Sequence, residues 1–122
     1  MTTLLAMPGA RGLFHRAIVQ SGPFLRATPP ERAAKAAGAL LAELGVSSLK
    51  ELQELSFERI VEAQGAVGRA GHTFAPVVDG VVLPRHPYDP DAPPTASGVP
   101  LLIGTNRDEM TLFMSGRSGY GT

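Results

Sequence analysis

Val99-Pro100-Leu101-Leu102-Ile103-Gly104-Thr105-Asn106-Arg107-Asp108-Glu109 is the stretch on which the fold turns, because an apolar run ends there in a polar turn with two adjacent carboxylates. The unbroken run over 99–104 predicts a strand buried on both faces, as in a parallel sheet. Groups just past the end of such a strand stand in the crevice outside the carboxyl ends of an open sheet, where ligands and catalytic side chains collect. The same spacing has a local explanation. Asn106 as N-cap with Glu109 three residues on forms a capping box, Asp108 favours the same helix start through the dipole, and a helix follows from Glu109 to Phe113.

Upstream, Ala17-Ile18-Val19-Gln20, closed by Ser21-Gly22-Pro23, predicts the partner strand. Between the two strands the pattern is helical. Thr28 can cap, Pro29 and Pro30 suit a first turn, and apolar or Ala positions 33, 36, 37, 40, 41 and 44 recur at helical spacing until Gly45. Ser48 with Glu51, and Ser56 before Ile60 and Val61, start two further helices. Residues 28–68 are thus a helical excursion of about three helices. Phe74 to Pro84 predicts a β-ribbon turning at Asp79-Gly80, with Pro76 and Pro84 confining it to an edge. The proline-rich stretch 84–98 predicts an extended surface loop. Strand, helices, ribbon, strand and helix in this order define an α/β chain with a mainly parallel sheet. Two such strands cannot cover themselves, which marks the chain as part of a larger sheet domain.

Composition narrows the function. A chain of 122 residues suggests one core, and 43% hydrophobic against 18% charged residues excludes a disordered tail. Eleven basic and eleven acidic residues cancel, so no positive field favours nucleic acid or anionic lipid. The absence of Cys excludes disulfides, thiolate metal sites and cysteine nucleophiles, but leaves the redox compartment open. The opening apolar run, residues 1–7, is far short of the ~20 residues that span a bilayer, and it carries no targeting pattern.

Three motifs carry a resemblance. TLLAMPGARGLFHRAIVQSG, from Thr3 to Gly22, resembles the segment that follows the nucleophile elbow in type-B carboxylesterases, the family of para-nitrobenzyl esterases and cholinesterases. FAPVVDGVVLP, from Phe74 to Pro84, is similar to the family's ribbon, and LLIGTNRDEMTLF, from Leu101 to Phe113, to its signature around the acidic triad member. They stand in the family's order along the whole chain. The resemblance implies a partial α/β-hydrolase fold for residues 1–122 as an internal fragment of one such domain, with 99–113 as strand and acid-bearing turn. It implies ester hydrolysis by a Ser-His-Glu triad with Glu109 as the acid, small-molecule esters as substrates, and no cofactor. Met110 stands where the family carries Gly.

The other triad members are not offered by this chain. The family's elbow, Gly-Glu-Ser-Ala-Gly, would precede Met1, which points to a mis-assigned start or a truncated gene. Its oxyanion loop also lies upstream, and its catalytic His lies downstream of the acid. Ser118 follows no strand and lacks the fifth-place Gly of a nucleophile elbow. His15, His72 and His86 all precede Glu109, and their scatter gives no metal-ligand pattern. Ser21 ends the first strand on the same crevice side as Glu109, so a hydrogen bond to the acid competes there with a plain turn role. The isolated chain is expected to be inactive. A catalytically inert binding or adhesion scaffold of the same fold is the alternative; Ser or Gly at the elbow would separate the two. Zero net charge and uncovered strand edges also predict poor solubility and a broad melt.

Overall fold

The computed structural model describes residues 1–114, so Ser118 lies outside the described residues. In chain order its elements are α1 (Thr2–Ala6), a 3-10 turn at Pro8–Ala10, β1 (Ala17–Gln20), α2 (Pro30–Leu44), α3 (Leu49–Gln53), α4 (Phe57–Arg69), a 3-10 turn at Pro94–Ala96, β2 (Leu101–Gly104) and α5 (Thr111–Met114). They form two compact units where the length suggests one core: Met1–Arg26 with the described residues from His86 on, and Ala27–Arg85.

In the first unit β1 and β2 pair in parallel, with Ala17 opposite Leu101, Ile18 opposite Leu102, Val19 opposite Ile103 and Gln20 opposite Gly104. The ladder extends at both ends, through Ala17 N–H to the Pro100 carbonyl (3.0 Å) and Ser21 N–H to the Gly104 carbonyl (2.9 Å). β2 starts two residues later than the apolar run implies, since Val99 donates to Ala96 and still belongs to the preceding 3-10 turn. Burial on both faces is not observed. Ala17 and Val19 are buried, but Ile18 (55% exposed) and Leu102 (66%) lie open on the other face, and Ile103 (52%), beside Val19, is exposed as well, so β2 is uncovered along its whole length. Elsewhere in this unit Thr95 Oγ1 donates to the Leu5 carbonyl (2.6 Å), tying α1 to the Pro94–Ala96 turn, and Leu5 is almost fully buried. Arg26 pairs with Asp89, and Tyr88 N–H donates to the Leu25 carbonyl at 2.9 Å.

The second unit closes a core of its own. α2 packs on α4, and the inward positions are small: Ala36 and Ala63 are buried, with Val67 and Leu83 beside them among the core residues. Alanine at such positions lets two helices approach closely and costs no side-chain entropy. Gly45 ends α2 in the left-handed conformation (φ 70°). Gly45 N–H reaches the Ala42 carbonyl and Val46 N–H the Leu41 carbonyl, which is the Schellman arrangement. Thr28 does not cap α2. Its N–H donates to Pro76 and its carbonyl accepts from Val78 in an isolated parallel bridge to Val77, so Pro29 takes the cap position without a side-chain bond.

The expected ribbon at 74–84 does not form as paired strands; Val77 contributes only that single bridge. The cause is Asp79, whose Oδ1 accepts from Val81 N–H (3.0 Å) and Leu83 N–H (2.8 Å). A carboxylate that takes backbone donors in this way competes with a ladder, and Pro76 and Pro84 lack donors altogether. Leu83, buried, anchors the resulting loop.

Candidate functional site

The two strands run parallel, so their carboxyl ends lie side by side, and the polar residues that follow each of them meet. After β1 the backbone turns sharply: Ser21 adopts φ 60° and Gly22 φ 51°, both left-handed. This turn swings the Ser21 side chain toward the end of β2. After β2, residues 107–110 form a turn before α5 begins at Thr111. The helix therefore opens later than the spacing predicts, and Glu109 lies in the turn itself.

Two donors converge on Glu109 Oε2: Ser21 Oγ at 2.8 Å and Asn106 N–H at 2.9 Å. The second of these is the reciprocal half of the capping box read from the spacing, a carboxylate reaching back three residues to a backbone donor. The first joins residues 88 apart in sequence. Together they hold the Glu109 carboxyl below the usual carboxylate range, the Asn106 N–H contributing most and the Ser21 hydroxyl next. Glu109 is thus an anion at neutral pH, half-buried, aimed and fixed by both strand ends. Next to the two donors Ser21 and Asn106, an open hollow of ≈ 460 Å³ runs along the strand pair. Ile18, Leu102 and Ile103 line its apolar stretch, and Ser21, Thr105 and Asn106 its polar end.

Among the residues expected from the sequence, Ser21 and Glu109 come together. Asp108 lies in the same turn, exposed, and its carbonyl accepts the Thr111 N–H (3.1 Å). His15 precedes β1 and so lies toward the amino end of the strand, away from this turn. His86 Nε2 stands 3.5 Å from the Arg26 guanidinium, and His72 follows α4 in the second unit, its N–H bonded to the Val67 carbonyl. Among the described residues no group of three His, Asp or Glu is arranged to hold a metal, and no helix is long and apolar enough to cross a membrane. What the spacing does not reveal is the left-handed backbone at Ser21. The only trace of it is the turn signal Ser21-Gly22 placed directly after a strand.

Comparison with known proteins identifies the family and the fold. The model of the carboxylesterase family matches residues 1–119. The chain is 39% identical to the para-nitrobenzyl esterase of Bacillus subtilis, over 94% of its own length and 25% of the relative's. It is 35% identical to the phenmedipham hydrolase of Pseudarthrobacter oxydans, over 91% and 24%. Among solved structures, a PNB esterase superposes with a TM-score of 0.83 at 39% identity, covering 96% of this chain and 27% of that one. A Geobacillus stearothermophilus carboxylesterase follows at 0.75 and 37%, covering 93% and 25%. The chain spans about a quarter of the length of these relatives. Its parallel strand pair and helices are accordingly a part of the α/β-hydrolase fold, and the chain belongs to the carboxylesterase family.

Proposed function

We propose that this chain supplies the acid of a Ser-His-Glu triad and, within a complete esterase, takes part in hydrolysing uncharged carboxylic esters by acyl transfer to water. Glu109 is the acid and Ser21 the positioning residue that holds it. One observation carries this reading: Ser21 Oγ and Asn106 N–H meet on the same oxygen of a carboxylate at the carboxyl ends of two parallel strands. Both donors occupy Oε2, so Oε1 is the oxygen that an imidazole N–H addresses.

The chemistry follows from the charge. An ionised carboxylate accepts the imidazole N–H, fixes the tautomer whose other nitrogen faces the nucleophile, and stabilises the imidazolium formed when the Ser hydroxyl gives up its proton to attack the ester carbonyl. Glu109 orients and stabilises; it neither attacks nor takes the proton. In the family's arrangement the nucleophile, the imidazole and the oxyanion donors lie outside these 122 residues. The chain alone therefore lacks a route to the acyl intermediate, however well its acid is placed.

The test is a graft. The chain replaces the matching stretch of the Bacillus subtilis para-nitrobenzyl esterase, and p-nitrophenyl acetate hydrolysis is followed. The graft is expected to turn over, and Glu109→Gln to lower kcat by about 10⁴-fold, the scale known for an acid replaced by its amide in a Ser-His-Asp triad. A graft that keeps its rate with Gln at position 109 contradicts the assignment. The isolated chain is expected to stay at the background rate with either residue, and Glu109-dependent turnover there would contradict the placement of Ser and His elsewhere.

A further inference from the structure

Asp79-Gly80 stands out in the sequence as a ribbon turn, yet the structure makes no ribbon of it and the ester chemistry does not use it. Of the four aspartates, Asp79 alone precedes glycine; Asp89 precedes Pro90, Asp91 precedes Ala92 and Asp108 precedes Glu109. The distinction is chemical. A glycine nitrogen carries no neighbouring side chain to hinder its approach to the preceding carboxyl carbon. Asp79 and Gly80 are both exposed, so burial gives the pair no shelter.

We propose that Asp79-Gly80 is a site of spontaneous aspartate isomerisation whose rate is set by the loop around it: closed while the loop holds, and open when the loop opens. In the reaction the Gly80 nitrogen attacks Asp79 Cγ. The amide proton, the acid proton and one carboxyl oxygen leave as water, and a five-membered succinimide forms. Water then adds back. Addition at the side-chain carbonyl returns aspartate, while addition at the main-chain carbonyl leaves the backbone running through Cγ, which is isoaspartate. One water leaves and one returns, so mass is unchanged and no other reactant is needed.

The folded loop opposes each requirement of this step. Oδ1 is engaged by Val81 N–H (3.0 Å) and Leu83 N–H (2.8 Å), bonds that must break before the carboxyl group can become part of a ring. The Gly80 N–H is directed at the Leu83 carbonyl (3.4 Å). The same donors, Leu83 first, keep the carboxyl ionised, whereas loss of water requires the acid form. Isomerisation in turn dismantles the loop. The extra methylene displaces the acceptor of Val81 and Leu83, and Leu83 is one of the buried residues of its unit.

The experiment compares the 122-residue chain incubated at neutral pH and 37 °C in native buffer and in concentrated guanidinium chloride. Isoaspartate is quantified in the tryptic peptide 70–85 by electron-transfer fragmentation. It is expected to accumulate at position 79 about tenfold faster in denaturant, where the gating bonds are gone. Asp79→Glu, whose ring would need six members, should abolish the signal. In native buffer the Val81 and Leu83 amides should be protected from hydrogen exchange, and lose protection as isoaspartate accumulates. Equal rates in the two solvents, unprotected Val81 and Leu83 amides, or isoaspartate arising instead at Asp91 or Asp108 would each overturn the proposal.

Discussion

The start of α3 and the turn after β2 use the same four-residue device, a small polar residue followed three positions later by Glu, and put it to different ends. At Ser48 the hydroxyl accepts the Glu51 N–H (3.2 Å), while the Glu51 carboxylate returns to the Ser47 N–H (2.7 Å) and hydroxyl (3.1 Å). Every one of those bonds closes within four residues, and Ser47 rather than Ser48 supplies the returning donor. Glu109 makes the corresponding local bond to Asn106 and adds one to Ser21, 88 residues away. Both carboxyls are held below their usual range, each with a backbone N–H as the largest cause. A depressed pKa does not tell the two apart. The partner contributed by the other strand does. A carboxylate whose bonds are all local secures a helix end, whereas one held from two strand ends has been given a fixed aim.

That contrast can be broken most sharply in the grafted esterase. Alongside the loss expected for Glu109→Gln, Glu51→Gln should leave kcat within about twofold, as surface substitutions away from a site ordinarily do; a comparable loss at both positions would erase the distinction. Ser21→Ala comes next. Loss of a hydrogen bond to a charged group should lower kcat about tenfold with KM unchanged. A change confined to KM would make Ser21 a substrate contact instead of a positioning residue. Ser48→Ala should cost about 1 kcal/mol of stability, the usual worth of an N-cap, and none of the catalytic rate. Urea denaturation read by helical circular dichroism, together with the ester assay, separates those two outcomes.

The smallest effect is a titration. A carboxyl with a lowered folded pKa contributes stability that is complete above the unfolded value and is lost as pH falls through the folded one. The Glu51 and Glu109 side-chain carbons, followed by carbon NMR, should therefore both titrate below the ordinary glutamate range. In Ser21→Ala the Glu109 midpoint should rise while that of Glu51 stays put. Movement of both, or of neither, would mean that the bond across the strand ends does not set the charge.

These particulars also show what a single sequence makes legible. Ala17 to Gln20 and the run before Gly104 were readable as strands because short, unbroken apolar segments between turn signals have few other fates. Gly45 was readable as the end of α2, since a left-handed stop needs glycine. What failed involved a competing bond or a missing neighbour. Thr28 has a capping hydroxyl, yet its backbone is committed to Pro76 and Val78. Asp79-Gly80 has hairpin chemistry, yet the carboxylate takes the donors that a hairpin would use. Ile18, Leu102 and Ile103 have the pattern of a two-sided core, but within the described residues all three are exposed. At the site, Glu109 and its Asn106 bond followed from spacing. The Ser21 contact was one of two options at a strand end, and only tertiary pairing selects between them.

The left-handed conformation of Ser21 has a consequence for the durability of the protein. Backbone of this kind costs a residue with a side chain about 1 kcal/mol, a burden that glycine at the same place escapes. Glycine at position 21 would relieve that strain but would also take the Ser21 hydroxyl from Glu109 Oε2, leaving the carboxylate to the Asn106 N–H alone. The serine that stands there carries the strain and, in return, ties together two turns that lie 88 residues apart.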